Sequence, residues 1–265
     1  MEITAQGAWW ALAGAIACFL AASALAILEV SKGMRYASLI TRVLMGAGFV
    51  LETLYLHHQG QMRGRCPITS LPEILVFMSW STVLIYFVVG PTYRLSLLGV
   101  FTAPLVALFA GLGLAGGAVT GIPTPPAGIV DPWLETHASV SLISYGAFAL
   151  AFVAAVMFLI QDRLLKAKSL TPLFYNLPPV SYLANAVTRL LLVGMILLTV
   201  GIVTAFFIHV FPGWGKILVA FPVWLAYGIL LVVNHRRKLA PQSLARATVV
   251  LFALPLITLT ILGRR

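Results

Sequence analysis

The chain has 265 residues, of which 61% are hydrophobic and 9% charged, with a formal net charge of +10. Its mean hydropathy of +1.02 excludes a soluble domain, which could not turn such a composition toward water. Nucleic-acid binding, the ordinary reading of so basic a chain, is excluded by the placement of the cations, which sit at the ends of apolar runs.

Runs long enough to span a bilayer occur near residues 7–30, 36–57, 71–90, 95–117, 134–160, 187–210, 216–235 and 245–262. Each covers about 20 residues, the length a bilayer core asks of a helix. Short alternating strands are missing from the pattern, so a β-barrel is not expected. The expectation is an all-α integral membrane protein, a bundle of about eight transmembrane helices in a single polytopic domain over 1–265. The first run lacks a basic leader and is too long for a signal peptide core, so it is read as a retained helix.

The second run carries Arg42 and Glu52, ten residues apart and therefore about 15 Å along a helix, too far to pair. Arg42 is expected to snorkel and Glu52 to make a polar contact in the bundle. His57 and His58 are expected to end this helix. The polar link that follows holds Arg63, Arg65 and Cys66. Ser70 and Glu73 have capping-box spacing, and Pro72 is tolerated in a first turn, so the third helix begins there. Cys18 and Cys66 are too scattered for a disulfide framework, and no Cys-x-x-Cys-His occurs, so the chain is not itself a c-type cytochrome.

After the fourth run, "AVTGIPTPPAGIVDPWLETH" holds four prolines and forbids a regular helix through most of its length. Asp131 and Pro132 read as N-cap and first helical position, so the fifth helix opens just before His137. The basic segment over 161–186 then turns to "SLTPLFYNLPPVSYL", which is expected to lie on the membrane surface. His209 closes the sixth helix, Trp224 and Tyr227 lie on the seventh, and the chain ends "ITLTILGRR".

Lys32, Arg35, Arg94, Arg163, Lys166, Lys168, Arg236, Arg237, Lys238 and Arg246 fall on one side of this topology, with Arg189 at the mouth of the sixth helix. Arg63, Arg65, Lys216, Arg264 and Arg265 fall on the other. The positive-inside rule then places both termini outside the cytoplasm in a multi-pass plasma-membrane protein. His57, His58, His137 and His209 share the outer side, and only His235 is inside. Trp9, Trp10, Trp133 and Trp214 also sit at the outer boundary, where an aromatic belt would account for them.

Imidazole suits zinc, copper and haem iron. Zinc would ask for Cys, Asp or Glu at tight spacing, and HExxH is absent. Haem asks only for one or two imidazoles, an apolar-aromatic pocket and cations for its propionates. Trp224, Tyr227 and either Arg63 or Arg65 supply such parts. Trp224 and Tyr227 are equally well read as helix packing at i, i+3. Tyr145 lies eight residues beyond His137, about 12 Å deeper and turned by roughly 80°.

"GRCPITSLPEILVFMSW" and "WLETHASVSLISYGAFAL" together resemble the cytochrome c assembly protein family of CcsA, ResC and the shorter HemX-type proteins. "TVGIVTAFFIHVFPGWGK" resembles the approach to that family's tryptophan-rich haem motif, and Lys216, Trp224 and Tyr227 keep its Lys, Trp, Tyr spacing. The resemblance spans roughly residues 50–235. Arg65 stands where the family's first motif has His. The tryptophan motif is reduced to one Trp without its Asp, and the histidine near the last helix is missing. The chain thus looks closer to the short HemX-like branch.

The resemblance implies a haem-binding membrane protein of cytochrome c assembly or haem homeostasis, holding non-covalent haem b near the extracytoplasmic side. It implies His137 as an axial ligand. His209 is nominated as the second metal ligand by its place at an outer helix end, with His57 and His58 next. Implied partners are haem, membrane lipid and either a cytochrome c assembly partner or a tetrapyrrole-synthesis enzyme. In HemX the implied role is control of haem synthesis at glutamyl-tRNA reductase. Alternatives are a haem-free regulatory or scaffold subunit and, more remotely, a small-molecule transporter. No nucleophile–base–orienter set is readable, so catalysis by the chain itself is not expected. Cys66 is expected to be dispensable for ligation.

Overall fold

A computed structural model describes residues 2–32, 37–89, 98–120, 131–168, 178–208 and 220–262. Among these residues the chain is an all-α bundle: α1 Glu2–Lys32, α2 Ala37–Arg63, α3 Leu71–Val89, α4 Leu98–Thr120, α5 Pro132–Lys166, α6 Val180–Ala205, α7 Ala220–Arg237, α8 Pro241–Leu251 and α9 Ala253–Leu262. Seven segments are long and apolar enough to cross a membrane. The eighth expected span, 216–235, lies partly outside the described residues and is represented by α7.

Three expectations about helix ends are corrected. α2 does not stop at His57 and His58 but runs to Arg63, where Gly64 takes a left-handed φ of +62°. Glycine reaches that conformation without a Cβ clash and closes the helix. α5 extends to Lys166 and α6 begins already at Val180, so both helices run into the link expected over 161–186; most of the segment expected on the membrane surface, residues 169–177, lies outside the described residues. The last span is two helical pieces, α8 and α9, separated at Phe252. Pro255 explains the break, since it has no N–H to offer the carbonyl of Leu251 four residues earlier.

α5 is the central element. It packs most extensively against α6, and also against α3, α8 and α4. α1 lies on α2 and α4, and α3 on α4, so the first four helices form one group and α5–α8 another. The α3–α5 contact joins them. With lipid outside, apolar burial gives helices little reason to associate, and close backbone approach takes over that role. Gly146 shows this at the join: a Cβ there would stand 2.7 Å from the Ser81 carbonyl carbon and 2.9 Å from the Thr82 nitrogen. Tyr227 of α7 stacks face to face on Phe148 of α5, ring centres 4.0 Å apart, and fixes the second group.

Glu52 sits near the middle of its span and is wholly buried. Ser79 of α3 lies beside it, but that hydroxyl donates to the Val106 carbonyl at 3.1 Å. Neither carboxyl oxygen has a hydrogen-bond partner, so the expected polar contact is not made in full. Arg42 is exposed, in the neighbourhood of Tyr86.

Candidate functional site at the α5 N-terminus

α5 starts as the sequence predicts. The Asp131 carboxylate accepts from the Trp133 backbone N–H at 2.9 Å, and Pro132 occupies the first turn. This cap fixes the register of the next turns and sets His137 on the face toward α6. There the imidazole is 8% exposed, and its Nδ1 lies 2.6 Å from the carbonyl oxygen of Gly201. A carbonyl can only accept, so Nδ1 carries the proton. In the neutral ring Nε2 is then the bare nitrogen, the form that ligates a metal, with its orientation set by the bond on the other side.

Gly201 is the residue that sequence reasoning missed. It lies in the last turn of α6, and its carbonyl also accepts from Thr204 Oγ1 at 2.7 Å. A Cβ at 201 would fall 2.6 Å from Ser141 Oγ and 3.3 Å from the Ser141 nitrogen. The absent side chain is what lets α6 bring its carbonyl to His137. A glycine inside the expected span 187–210 was the available signal, but only the partner on α5 gives it meaning.

The α2–α3 link folds onto the same end. The Cys66 backbone N–H donates to Glu135 Oε1 at 2.8 Å, and the Cys66 Sγ lies 3.5 Å from Ser139 Oγ. Glu135 and Ser139 lie two residues either side of His137, so the link docks at the same level of α5 but on the face opposite the imidazole. Glu73 organises the link from its other side. One carboxyl oxygen accepts from the Thr69 N–H at 2.9 Å, the Thr69 hydroxyl at 2.9 Å and the Ser70 N–H at 3.1 Å. The other pairs with Arg63, both side chains being buried. The capping bond from Glu73 is thus present, while Ser70 Oγ makes no return bond. Burial pushes the Cys66 thiol above its usual range, and the Glu135 charge pushes the same way against the hydrogen bond from Ser139. A thiolate stabilised by neighbouring arginines is therefore not what the structure builds.

The other candidates are spread more widely. Arg63 is engaged by Glu73, and Arg65 is half-buried in the link. His57 is exposed on α2, and His58 is partly buried with Nδ1 enclosed and unbonded. Trp224 donates to Thr199 Oγ1 at 3.0 Å, two residues from Gly201, so its indole is on α6 close to the level of His137. Tyr145 lies deeper and accepts from the Thr258 hydroxyl at 3.3 Å. The hydroxyl of Tyr227 is buried without a partner. Trp133 packs on Phe207, ring centres 4.9 Å apart, across the top of the α5–α6 pair. His209, Trp214 and Lys216 lie outside the described residues. Among the described residues no group of three or more His, Cys, Asp or Glu converges on a point. One oriented imidazole stands at this corner, rather than a multi-ligand metal cage.

The same stretch of chain is the one that known proteins share. The Cytochrome C assembly protein profile matches residues 68–265, from the link to the last residue. Protein HemX of Brevibacillus brevis is 28% identical over 168 residues, which cover 63% of this chain and 59% of that protein. Protein HemX of Bacillus subtilis (strain 168) is 26% identical over 235 residues, 83% of this chain and 82% of that protein. Cytochrome c biogenesis protein CcsA of Microcystis aeruginosa is 34% identical over 136 residues, 50% of this chain but 38% of that protein. The matched part of the chain therefore spans less than two thirds of HemX of Brevibacillus brevis, at 59%, and of CcsA of Microcystis aeruginosa, at 38%. With the matched region holding the Glu73 cap, His137 and Gly201 alike, the chain belongs to the cytochrome C assembly protein family.

Proposed function

We propose that this chain handles haem in the membrane, in cytochrome c assembly or in haem homeostasis, with His137 as an axial ligand near the extracytoplasmic face. The family supports a role in cytochrome c biogenesis. The observation that carries the finer reading is the 2.6 Å contact from His137 Nδ1 to a backbone carbonyl, which leaves Nε2 as the ring's basic nitrogen. That donor fits haem iron, which takes imidazole axially and needs no cluster of acids or thiols.

Bound non-covalently, haem b would supply a redox-active iron and a large apolar face. The chain's own part is to hold it. His137 is presented by the capped start of α5, with the Gly201 carbonyl setting its tautomer. Trp224 stands at about the same level, bonded to Thr199 on another face of α6. Arg63 or Arg65 is the proposed propionate partner, and Arg63 would have to share its charge with Glu73. The second axial ligand is assigned to His209, with His57 and His58 as alternatives. The basic residues gathered at the opposite end of the bundle support an extracytoplasmic position for His137. The chain acts by binding and presentation rather than by turnover of its own.

A haem-free regulatory subunit is the second reading. It is favoured by coverage: one HemX protein is matched over 82% of its length and one CcsA protein over 38%. Absorption spectroscopy of the full chain purified from haem-replete cells separates the two. The expected result is a Soret band at near-stoichiometric haem, lost in His137→Ala and recovered with added imidazole. A colourless wild-type protein overturns the haem reading and favours the second. An unchanged spectrum and haem content in His137→Ala removes the ligand assignment.

A further inference from the structure

The end of the bundle opposite His137 is strongly and one-sidedly charged. No acidic residue follows Asp162 anywhere in the chain. Asp162 itself is held by Lys166 Nζ at 2.9 Å and by Gln242 Nε2 at 3.0 Å. The second of these bonds ties the start of α8 to the end of α5. α7 also ends here, because its first turns lie beside the end of α6, where Trp224 meets Thr199. Arg163, Lys168, Arg236, Arg237, Lys238 and Arg246 are consequently gathered from three helices, and all are exposed.

Two of these cations stand in an unfavourable backbone. Lys168 follows the C-cap of α5 with a φ of 50°, and Lys238 follows α7 with a φ of 45°. They are the only non-glycine residues with positive φ among the described residues. Glycine adopts this left-handed conformation without strain and is the usual residue at such a position. At both helix ends the chain carries a cation instead. A strained residue outside the core is a pointer to function.

The cations also continue directly into lipid-facing surface. Val232 lies one turn before Arg236 on α7, and Val250 one turn after Arg246 on α8; they are 59% and 71% exposed. Residues four apart share a helix face. Each column therefore runs from a cation at the membrane edge to an apolar side chain within the membrane. A soluble polyanion meets only the cations, whereas an amphiphile meets both halves.

We propose that this end, between the termini of α5 and α7 and the start of α8, is a binding site for an anionic phospholipid. The phosphate lies on the cations and the acyl chains along Val232 and Val250. The inference is independent of the haem reading, since its residues lie at the other end of α5.

The test is native mass spectrometry of the full chain in neutral detergent, titrated with phosphatidylglycerol and, separately, with phosphatidylcholine. The expected result is at least about tenfold tighter binding of phosphatidylglycerol, each cation near the surface being worth about fivefold. Arg236→Gln with Arg246→Gln removes most of that preference. Lys168→Gly with Lys238→Gly lowers it several-fold while the Tm in neutral detergent holds or rises, because glycine relieves the backbone. Equal binding of the two lipids overturns the proposal, as does a preference that survives both double substitutions. A Tm that falls in the glycine variant refutes the argument from strain. Displacement of phosphatidylglycerol by an RNA oligonucleotide or an acidic peptide, at the same residues, assigns the surface to a soluble partner and overturns the lipid site.

Discussion

Gly201→Ala is the substitution that most directly probes the His137 corner. The new methyl group would stand 2.6 Å from Ser141 Oγ, and ordinary contact begins at 3.4 Å. Either α6 recedes by roughly 0.8 Å or Ser141 turns its hydroxyl away. Turning removes most of the clash but not all, because the Ser141 nitrogen, part of the α5 backbone, remains at 3.3 Å. A full recession stretches the His137 Nδ1 to Gly201 contact from 2.6 Å to about 3.4 Å, past effective hydrogen bonding. Overpacking of this kind costs about 1–3 kcal/mol. Loss of the bond that orients a ligating imidazole lowers metal affinity by about 10–100-fold. Haem titration followed at the Soret band should show that loss, with His137 itself untouched. The double variant Ser141→Ala, Gly201→Ala removes the nearest clashing atom and should recover most of the affinity. A Gly201→Ala protein with wild-type affinity and spectrum would refute the reasoning, as would a double variant no better than the single.

The remaining predictions concern the link. Glu73→Ala leaves Arg63 buried without its counter-charge and strands the Thr69 and Ser70 donors. A loss of about 3 kcal/mol or more is expected, seen as a lower thermal midpoint. Arg63→Met combined with Glu73→Leu should cost less than Glu73→Ala alone, and a midpoint unchanged in Glu73→Ala would disprove the role given to the pair. For Cys66 the raised pKa predicts alkylation by iodoacetamide whose rate climbs only above the pH usual for a free thiol, about 8.5. The neutral thiol is the form the fold favours. Its contribution to stability is therefore complete below the unfolded pKa and is lost as pH rises toward the folded one. A rate profile centred at or below the free-thiol value would contradict this.

Hydropathy located the spans well because the bilayer imposes a length on every crossing. It located helix ends poorly for the same reason: it reports where apolar character stops, and a helix can continue into water. "HHQGQMR" is polar, so α2 was expected to end at His57 and His58, yet its hydrogen bonds run on until Gly64 turns the chain. α5 likewise continues through "QDRLLK" past its apolar run. The ends that carried a stereochemical signal were read correctly. Asp131 with Pro132 and the Ser70–Glu73 spacing each name a residue whose side chain meets a particular backbone donor. The break at Phe252 was not read: Pro255 denies a bond to the carbonyl four residues before it, but Pro104 does the same inside α4, which runs on unbroken.

The site divides along the same line. The place of His137 at the start of α5 was legible from the cap, while the role proposed for it came from the family resemblance. What fixes its chemistry is a backbone carbonyl 64 residues away, and every residue of the chain carries one. No side-chain pattern marks which carbonyl it will be. Only the glycine that admits the approach leaves a trace, and it is one of 22. The link shows the same limit. Glu135 and Cys66 are 69 positions apart, and their bond runs through the Cys66 nitrogen, so the cysteine's identity plays no part in it. That bond joins the first group of helices to the turn that presents His137. Arg63 and Glu73 then hold the link in the shape that makes the bond possible. The first turns of α5, and with them the backbone that carries His137, are thus held from both halves of the bundle, while the ring itself is set by α6. Substitutions in the α2–α3 link should therefore reach the His137 ring only through the α5 backbone that Glu135 helps to hold.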